Sequence, residues 1–270
     1  MPLKNLMVHL DQSPRSAARL TLALALARKH QARLVGVFGQ LASSQRVGMV
    51  AAWPTAEYAE AAAANKAAFA QATAGLPQAE WRDINRGSEA EVMRSIIEQA
   101  RYADLVVLGQ HDASGKSYVP AALAEEVVLH SGRPVLIVPY AGEFAEIGKR
   151  PLLCWSSGRE AARALNDALP LIEGCQSATV LSLSPSADEA SLACAEVIRP
   201  LACHGVKAES ETLLVKEIGV MDMLLNKASD IGADLLVMGA QGQASLPFAS
   251  RGTGTSYILG HMTVPVLMSH

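Results

Sequence analysis

The sequence predicts an α/β fold built twice over: two tandem flavodoxin-like or Rossmann-like domains, each a five-stranded parallel sheet flanked by helices. Three observations carry this reading. Short continuous runs of Val, Ile and Leu, the mark of strands buried on both faces, alternate with helical patterns. The order of these elements recurs in the second half. The 270 residues, 50% hydrophobic and only 18% charged, suffice for two compact cores.

In the first half the strands are read at Asn5–Leu10, Arg33–Phe38, Trp81–Asn85, Asp104–Leu108 and Pro134–Pro139. The first helix is predicted with Ser13 as N-cap and Pro14 in its first turn. Ala17, Leu20, Leu24 and Ala27 share one face, and Arg28-Lys29-His30 closes the helix. Ser88-Glu89-Ala90-Glu91 reads as a capping box ahead of Val92, Ile96, Ile97 and Ala100. Residues Leu41–Thr73 read as a loop containing Gly48 and Pro54, followed by an Ala-rich helix solvated through Glu57, Glu60 and Lys66.

The second half repeats the pattern with strands at Leu152–Trp155, Thr179–Leu183, Glu209–Leu213, Asp234–Met238 and Pro265–Met268, and helices starting near Arg159, Asp188, Glu217 and Thr255. Asp104-Leu-Val-Val-Leu-Gly109 returns as Asp234-Leu-Leu-Val-Met-Gly239. Arg133-Pro-Val-Leu-Ile-Val138 returns as Val264-Pro-Val-Leu-Met-Ser269, and the helix pattern Ala17–Leu20 returns as Ala162–Leu165. The offsets place about fifteen extra residues in the first copy, around Leu41–Thr73. Ala141–Lys149, with Gly142 and Gly148, is the natural linker, so the domains are read as 1–142 and 149–270.

A net charge of −3 argues against a basic nucleic-acid or membrane-surface binder. Met1–Leu10 holds no apolar signal core, and no run approaches the ~18 apolar residues of a membrane span, so a cytoplasmic protein is expected. The four cysteines (Cys154, Cys175, Cys194, Cys203) form no metal pattern and are expected to be small buried residues in a reducing compartment.

In a doubly wound sheet, ligands bind outside the carboxyl ends of the strands where the strand order reverses, so the loops after the first and fourth strands of each copy are where chemistry is sought. After the fourth strand of the second copy stands Gly239-Ala-Gln-Gly242, then Arg251-Gly252-Thr253-Gly254-Thr255, a G-x2-G-x9-G-T spacing. Glycines let backbone N–H groups approach an anion, and Gly252 and Thr253 precede a helix, so a phosphate chain would meet the positive helix end and hydroxyl groups.

These residues resemble the nucleotide-binding loop of the universal stress protein family. Met7-Val-His-Leu-Asp11-Gln-Ser13 and Trp155–Leu165 are similar to the family's first-strand ending in each copy, so the whole chain resembles a tandem member. The resemblance implies sheets of order 3-2-1-4-5 and a stress-response or signalling protein binding ATP, with Mg²⁺ as its companion ion. Nucleotide contacts would fall on Met238, Gly239, Gly242, Gly252, Thr253 and Thr255, with Arg251 a candidate extra positive contact and Ser156 standing where the family has an acidic residue after the first strand. The first copy keeps Asp11 but has Gly109-Gln-His-Asp112, a carboxylate in place of the second glycine, and Ala122-Leu123 in place of Gly-Ser/Thr. It is read as nucleotide-incompetent and the second as competent. The family's fifth strands imply an internal pseudo-dimer through Val135–Pro139 and Val264–Met268, with a homodimer left open.

Occupancy rather than fast catalysis is the expected mode of action, since the loop offers no evident general base or nucleophile. A nucleotide-free scaffold for protein partners and a slow ATP hydrolase are the alternatives. Gly115-Lys116-Ser117 fails the P-loop spacing, Ser156–Glu160 matches a pyrophosphate-releasing loop at two positions only, and no nucleophile elbow is present. His9, His111, Asp11 and Asp112 are weighed as an acid–base or metal cluster, with a plain polar crevice preferred.

Overall fold

A computed structural model describes residues 2–43, 45–47, 50–184, 187–214, 219–240 and 253–270. The chain divides into two compact units, Pro2–Val135 and Leu136–His270. The N-terminal unit runs β1 (Asn5–Leu10), α1 (Ser16–His30), β2 (Arg33–Phe38), β3 (Gln45–Val47), β4 (Val50–Ala52), α2 (Ala56–Thr73), β5 (Ala79–Asp83), α3 (Glu89–Ala100), β6 (Leu105–Gly109) and α4 (Leu123–Ser131). After β7 (Val135–Val138), inside which the division falls, come β8 (Pro151–Trp155), α5 (Arg159–Ile172), β9 (Ala178–Ser184), α6 (Ala187–Cys203), β10 (Ala208–Leu214), α7 (Val220–Asp230), β11 (Leu235–Gly239), α8 (Thr253–His261) and β12 (Val266–Ser269).

The strand pairings β1–β2, β1–β6 and β2–β5 of the first unit and β8–β9, β8–β11, β9–β10 and β11–β12 of the second are parallel. In the N-terminal unit β1 lies between β2 and β6, and β5 pairs the far side of β2. In the C-terminal unit β8 lies between β9 and β11, β10 pairs β9, and β12 pairs β11, which is the order 3-2-1-4-5. The fifth strand enters alike in both units: Val106 N–H donates to the Pro134 carbonyl at 3.1 Å, and Leu236 N–H to that of Pro265 at 2.9 Å. A second shared device fixes the first strand. Asp104 accepts from the N–H groups of Lys4 and Asn5 at 2.7 and 2.9 Å, and its repeat equivalent Asp234 from those of Lys149 and Arg150 at 2.8 and 2.9 Å. Each carboxylate thus satisfies two backbone donors that the end of the sheet leaves unpaired.

The central strands are apolar runs because both faces are covered: five of six residues in β1 and in β2 are buried. Helix α1 buries Leu20, Leu22, Ala23, Leu24, Leu26 and Ala27, a wider face than the predicted stripe, and leaves Ala17 exposed.

Four expectations are corrected. Helix α1 starts at Ser16, not at Pro14, and Ser13 is not its cap: the Ser13 N–H donates to Asp11 Oδ1 at 2.6 Å and its carbonyl accepts from Ser16 N–H, so a turn occupies this stretch. Ser88 does precede α3, but its hydroxyl donates to the Glu91 carboxylate at 2.5 Å and makes no cap bond to the helix backbone. The stretch read as a loop before α2 contains the antiparallel β3–β4 hairpin. Strand β5 runs two residues earlier than predicted, Ala79–Asp83, and at Asn85, with φ 51°, the chain has already left the sheet. Glu217, the predicted helix start, lies outside the described residues, and α7 begins at Val220.

Candidate functional site

The sheet orders place a strand reversal between β1 and β6, and between β8 and β11. In the N-terminal unit the first of these is filled by the protein itself. Asp11 follows β1 and is 3% exposed; Arg19, one turn into α1, is 4% exposed. Arg19 Nη2 donates to Asp11 Oδ2 at 2.6 Å and its Nε to the His9 carbonyl at 3.2 Å. The guanidinium lies against the end of β6, where any Cβ at Gly109 would strike Arg19 Nη1. Gly109 is therefore needed to seat a side chain of this chain.

Charges confined this way are held by their partners. Burial pushes the Asp11 carboxyl up, but Arg19, His9 and the Ser13 N–H together hold it below its usual value. Burial drives His9 down to about 4, against the opposing pull of Asp11. His9 is thus neutral at pH 7, with Nε2 donating a hydrogen bond to the Gly39 carbonyl at 2.7 Å. Gln40 completes the crevice, its Oε1 accepting the Gln12 N–H at 2.9 Å.

The weighed histidine–aspartate cluster does not form. Asp112 accepts from the N–H and hydroxyl of Ser114 at 2.9 and 2.6 Å, and His111 Nε2 lies 3.1 Å from Ser117 Oγ, so both serve their own loop. Those Ser114 hydrogen bonds lower the Asp112 carboxyl. Among the described residues no group of three or more His, Cys, Asp or Glu side chains is placed to hold a metal ion.

The C-terminal unit is built differently at the same place. By the repeat alignment Ser156 stands for Asp11 and Ala164 for Arg19, so both halves of the ion pair are replaced together. Helix α5 starts earlier than α1 in this alignment, and its first turn takes the position against the strand end. A Cβ on Gly239 would lie 2.5 Å from the Glu160 carbonyl carbon and 2.6 Å from Ala161 N. Met238 is buried at the end of β11, Ser156 is half-buried after β8, and Thr255 is buried in the first turn of α8. Gly239 and Ser156 thus stand at the ends of the two strands that flank the switch point. Thr253 opens α8, while Gly242, Arg251 and Gly252 lie outside the described residues.

The sequence reading missed Arg19 and Glu160. Glu160 is 5% exposed beside Gly239. Burial raises its carboxyl, but a hydrogen bond from Arg159 Nε at 2.8 Å, its own backbone N–H and the charge of His270 lower it overall. His270 in turn reaches the Ala240 carbonyl through Nδ1 at 3.1 Å. The signal for Arg19 was a lone charge in an Ala/Leu helix face, eight residues after an Asp at a strand end.

The cysteines are all free, but not all buried as expected: Cys194 is buried and Cys203 exposed. No described helix is long and apolar enough to cross a membrane.

Two doubly wound parallel units, each with a glycine ending its fourth strand at the switch point, define a tandem α/β protein. The chain belongs to the universal stress protein family, which matches it over residues 2–139 and 159–270. Among solved structures, a universal stress protein from Archaeoglobus fulgidus DSM 4304 is similar at a TM-score of 0.73 and 17% identity, over 98% of this chain and 95% of that one. A functionally unknown protein from Pseudomonas aeruginosa PAO1 is similar at 0.64 and 15%, over 99% and 92%. No curated protein matches the chain in sequence.

Proposed function

We propose that the chain is a stress-response or signalling protein that binds ATP, with Mg²⁺, in its C-terminal unit only, and that occupancy is its output. The observation that carries this reading is the difference between the two switch points. The first is filled by the Asp11–Arg19 pair against Gly109. The second has Ser156 and Ala164 at those positions and is followed by the G-x2-G-x9-G-T loop. Met238, Gly239 and Ser156 would border the nucleoside, while Gly242, Arg251, Gly252, Thr253 and Thr255 would hold the phosphates at the start of α8. Mg²⁺ would neutralise phosphate charge there, and the sequence of the loop Gly239–Thr255 offers no evident general base for rapid hydrolysis.

The test is thermal unfolding with and without Mg-ATP. Stabilisation growing with nucleotide concentration, and lost in Gly242→Asp, is the expected result. One observation favours the second reading, a nucleotide-free scaffold for protein partners: Glu160, whose backbone lies against Gly239, is buried and its carboxylate in the first turn of α5 would repel phosphate. Under that reading neither ATP nor Gly242→Asp changes the melting temperature.

A further inference from the structure

Glu160 gives the second switch point a charge that the first does not have. By the repeat alignment Ser156, Glu160 and Ala164 stand where the first copy has Asp11, Arg15 and Arg19. These positions sum to one positive charge in the first copy and one negative charge in the second.

The carboxylate is seated by the start of α5. Gly158, the residue before the helix, has no side chain to cap it, and Glu160 lies in the first turn. Glu160 Oε2 is 2.9 Å from the place a Cβ on Gly158 would take, and Ser156 Oγ is 3.6 Å from the same point. At its other end, Glu160 Cβ is 2.8 Å from where a Cβ on Gly239 would stand. The side chain thus runs from the end of β11 back over the helix start toward Ser156, which follows β8. The α5 dipole favours an anion here, and the chain supplies its own.

The surrounding charges neutralise it only in part. Its ion-pair partner, Arg159 at 2.8 Å, is 85% exposed while Glu160 is 6% exposed, so water screens the guanidinium more than the carboxylate. Farther along α5, Arg163 and Asp167 cancel one another at 2.9 Å. His270, whose charge also acts on Glu160, is turned to the Ala240 carbonyl at the root of the loop.

We infer that Glu160 is a specificity-determining residue of the second site, setting its affinity for a nucleotide by the charge of the phosphate chain. The inference rests on the nucleotide reading above. An uncharged nucleoside is indifferent to a fixed carboxylate between the ends of β8 and β11, whereas every uncompensated phosphate charge is opposed by it. At about 10 Å and an effective dielectric constant of about 20, one pair of like charges lowers affinity about tenfold.

The experiment is a calorimetric titration of the full chain with adenosine, AMP and ATP without metal, in the parent, Glu160→Gln, Arg159→Gln and Glu173→Gln. Glu173 is exposed at the far end of α5, so its replacement changes the net charge equally but away from the site. Glu160→Gln should tighten ATP about tenfold, AMP less and adenosine not at all. Arg159→Gln should act in the opposite direction, weakening ATP more than AMP. Its side chain is exposed, so it keeps the test in force where Glu160→Gln lowers stability. Glu173→Gln should change none of the three. An ATP gain in Glu160→Gln no larger than the AMP gain, an equal gain in Glu173→Gln, or ATP binding indifferent to both variants at the start of α5 would each overturn the inference. Those outcomes leave the nucleotide reading standing. Binding of no nucleotide by the parent or any variant would overturn both, while binding of ATP by Glu160→Gln alone would contradict occupancy of the native site and uphold the charge role.

Discussion

Replacing Arg19 by Ala tests whether the first switch point is closed by an internal ion pair. The Arg19 and Asp11 side chains are 5% and 4% exposed and meet at 2.6 Å. Without Arg19, the Asp11 carboxylate keeps the Ser13 N–H at 2.6 Å but loses its counter-charge. Removing one partner of a buried pair costs about 3–5 kcal/mol, because the other charge stays buried. At about 3 °C per kcal/mol for a unit of this size, that is a fall of roughly 10 °C in the unfolding of the N-terminal unit. Asp11→Ser alone should be similarly costly, since it strands the guanidinium. The double variant Asp11→Ser/Arg19→Ala reproduces the Ser156 and Ala164 of the second copy. It should therefore cost less than the two single changes together by about 2 kcal/mol or more. Urea and thermal unfolding at pH 7, read by circular dichroism, give all four corners of the cycle. Single variants that each cost under about 1 kcal/mol, with a strictly additive double, would refute the closed-site reasoning.

Three further outcomes are expected. His9 is neutral when folded, with its value lowered from 6.5 to about 4. The unfolded chain binds the extra proton between those limits, so stability is complete above pH 6.5 and falls as pH drops toward 4, by roughly 3 kcal/mol in total; His9→Gln should flatten that slope in a pH series of urea unfolding. Asp11, also depressed, contributes above its unfolded value of about 3.9 and loses its contribution only at lower pH, so the two effects separate in window. Gly239→Ala forces a methyl against α5 backbone at 2.5 Å, which should destabilise the C-terminal unit by about 1–3 kcal/mol, measurable as a lowered thermal midpoint. Gly87→Ala should likewise perturb Trp53, seen as a shifted indole emission, because its Cβ would meet the ring at 2.5 Å.

Strands β1 and β2 were legible to the residue because both faces are buried, so apolar runs and strand limits coincide. The repeat was legible because Asp104 and Asp234 do the same structural work, each clamping the first strand of its unit. Ser13 misled because a local turn around Asp11 competes with the helix for the same backbone groups. The β3–β4 hairpin escaped notice because three-residue strands carry no periodicity to read. Asp112, the carboxylate that stands in place of the second glycine, turns its hydrogen bonds to Ser114 of its own loop. The group that fills the first switch point is Arg19, from a helix whose sequence speaks only of apolar packing. Its role depends on Asp11 and on Gly109, ninety residues away, a contact that no local pattern encodes.

The most direct measurement is a calorimetric titration of the nucleotide-stripped chain with Mg-ATP, read for stoichiometry. One site per chain, abolished by Gly242→Asp and untouched by Asp112→Gly, is the expected result. Two sites would contradict the closure of the first switch point by Arg19, and no binding at millimolar Mg-ATP would contradict nucleotide binding in the C-terminal unit.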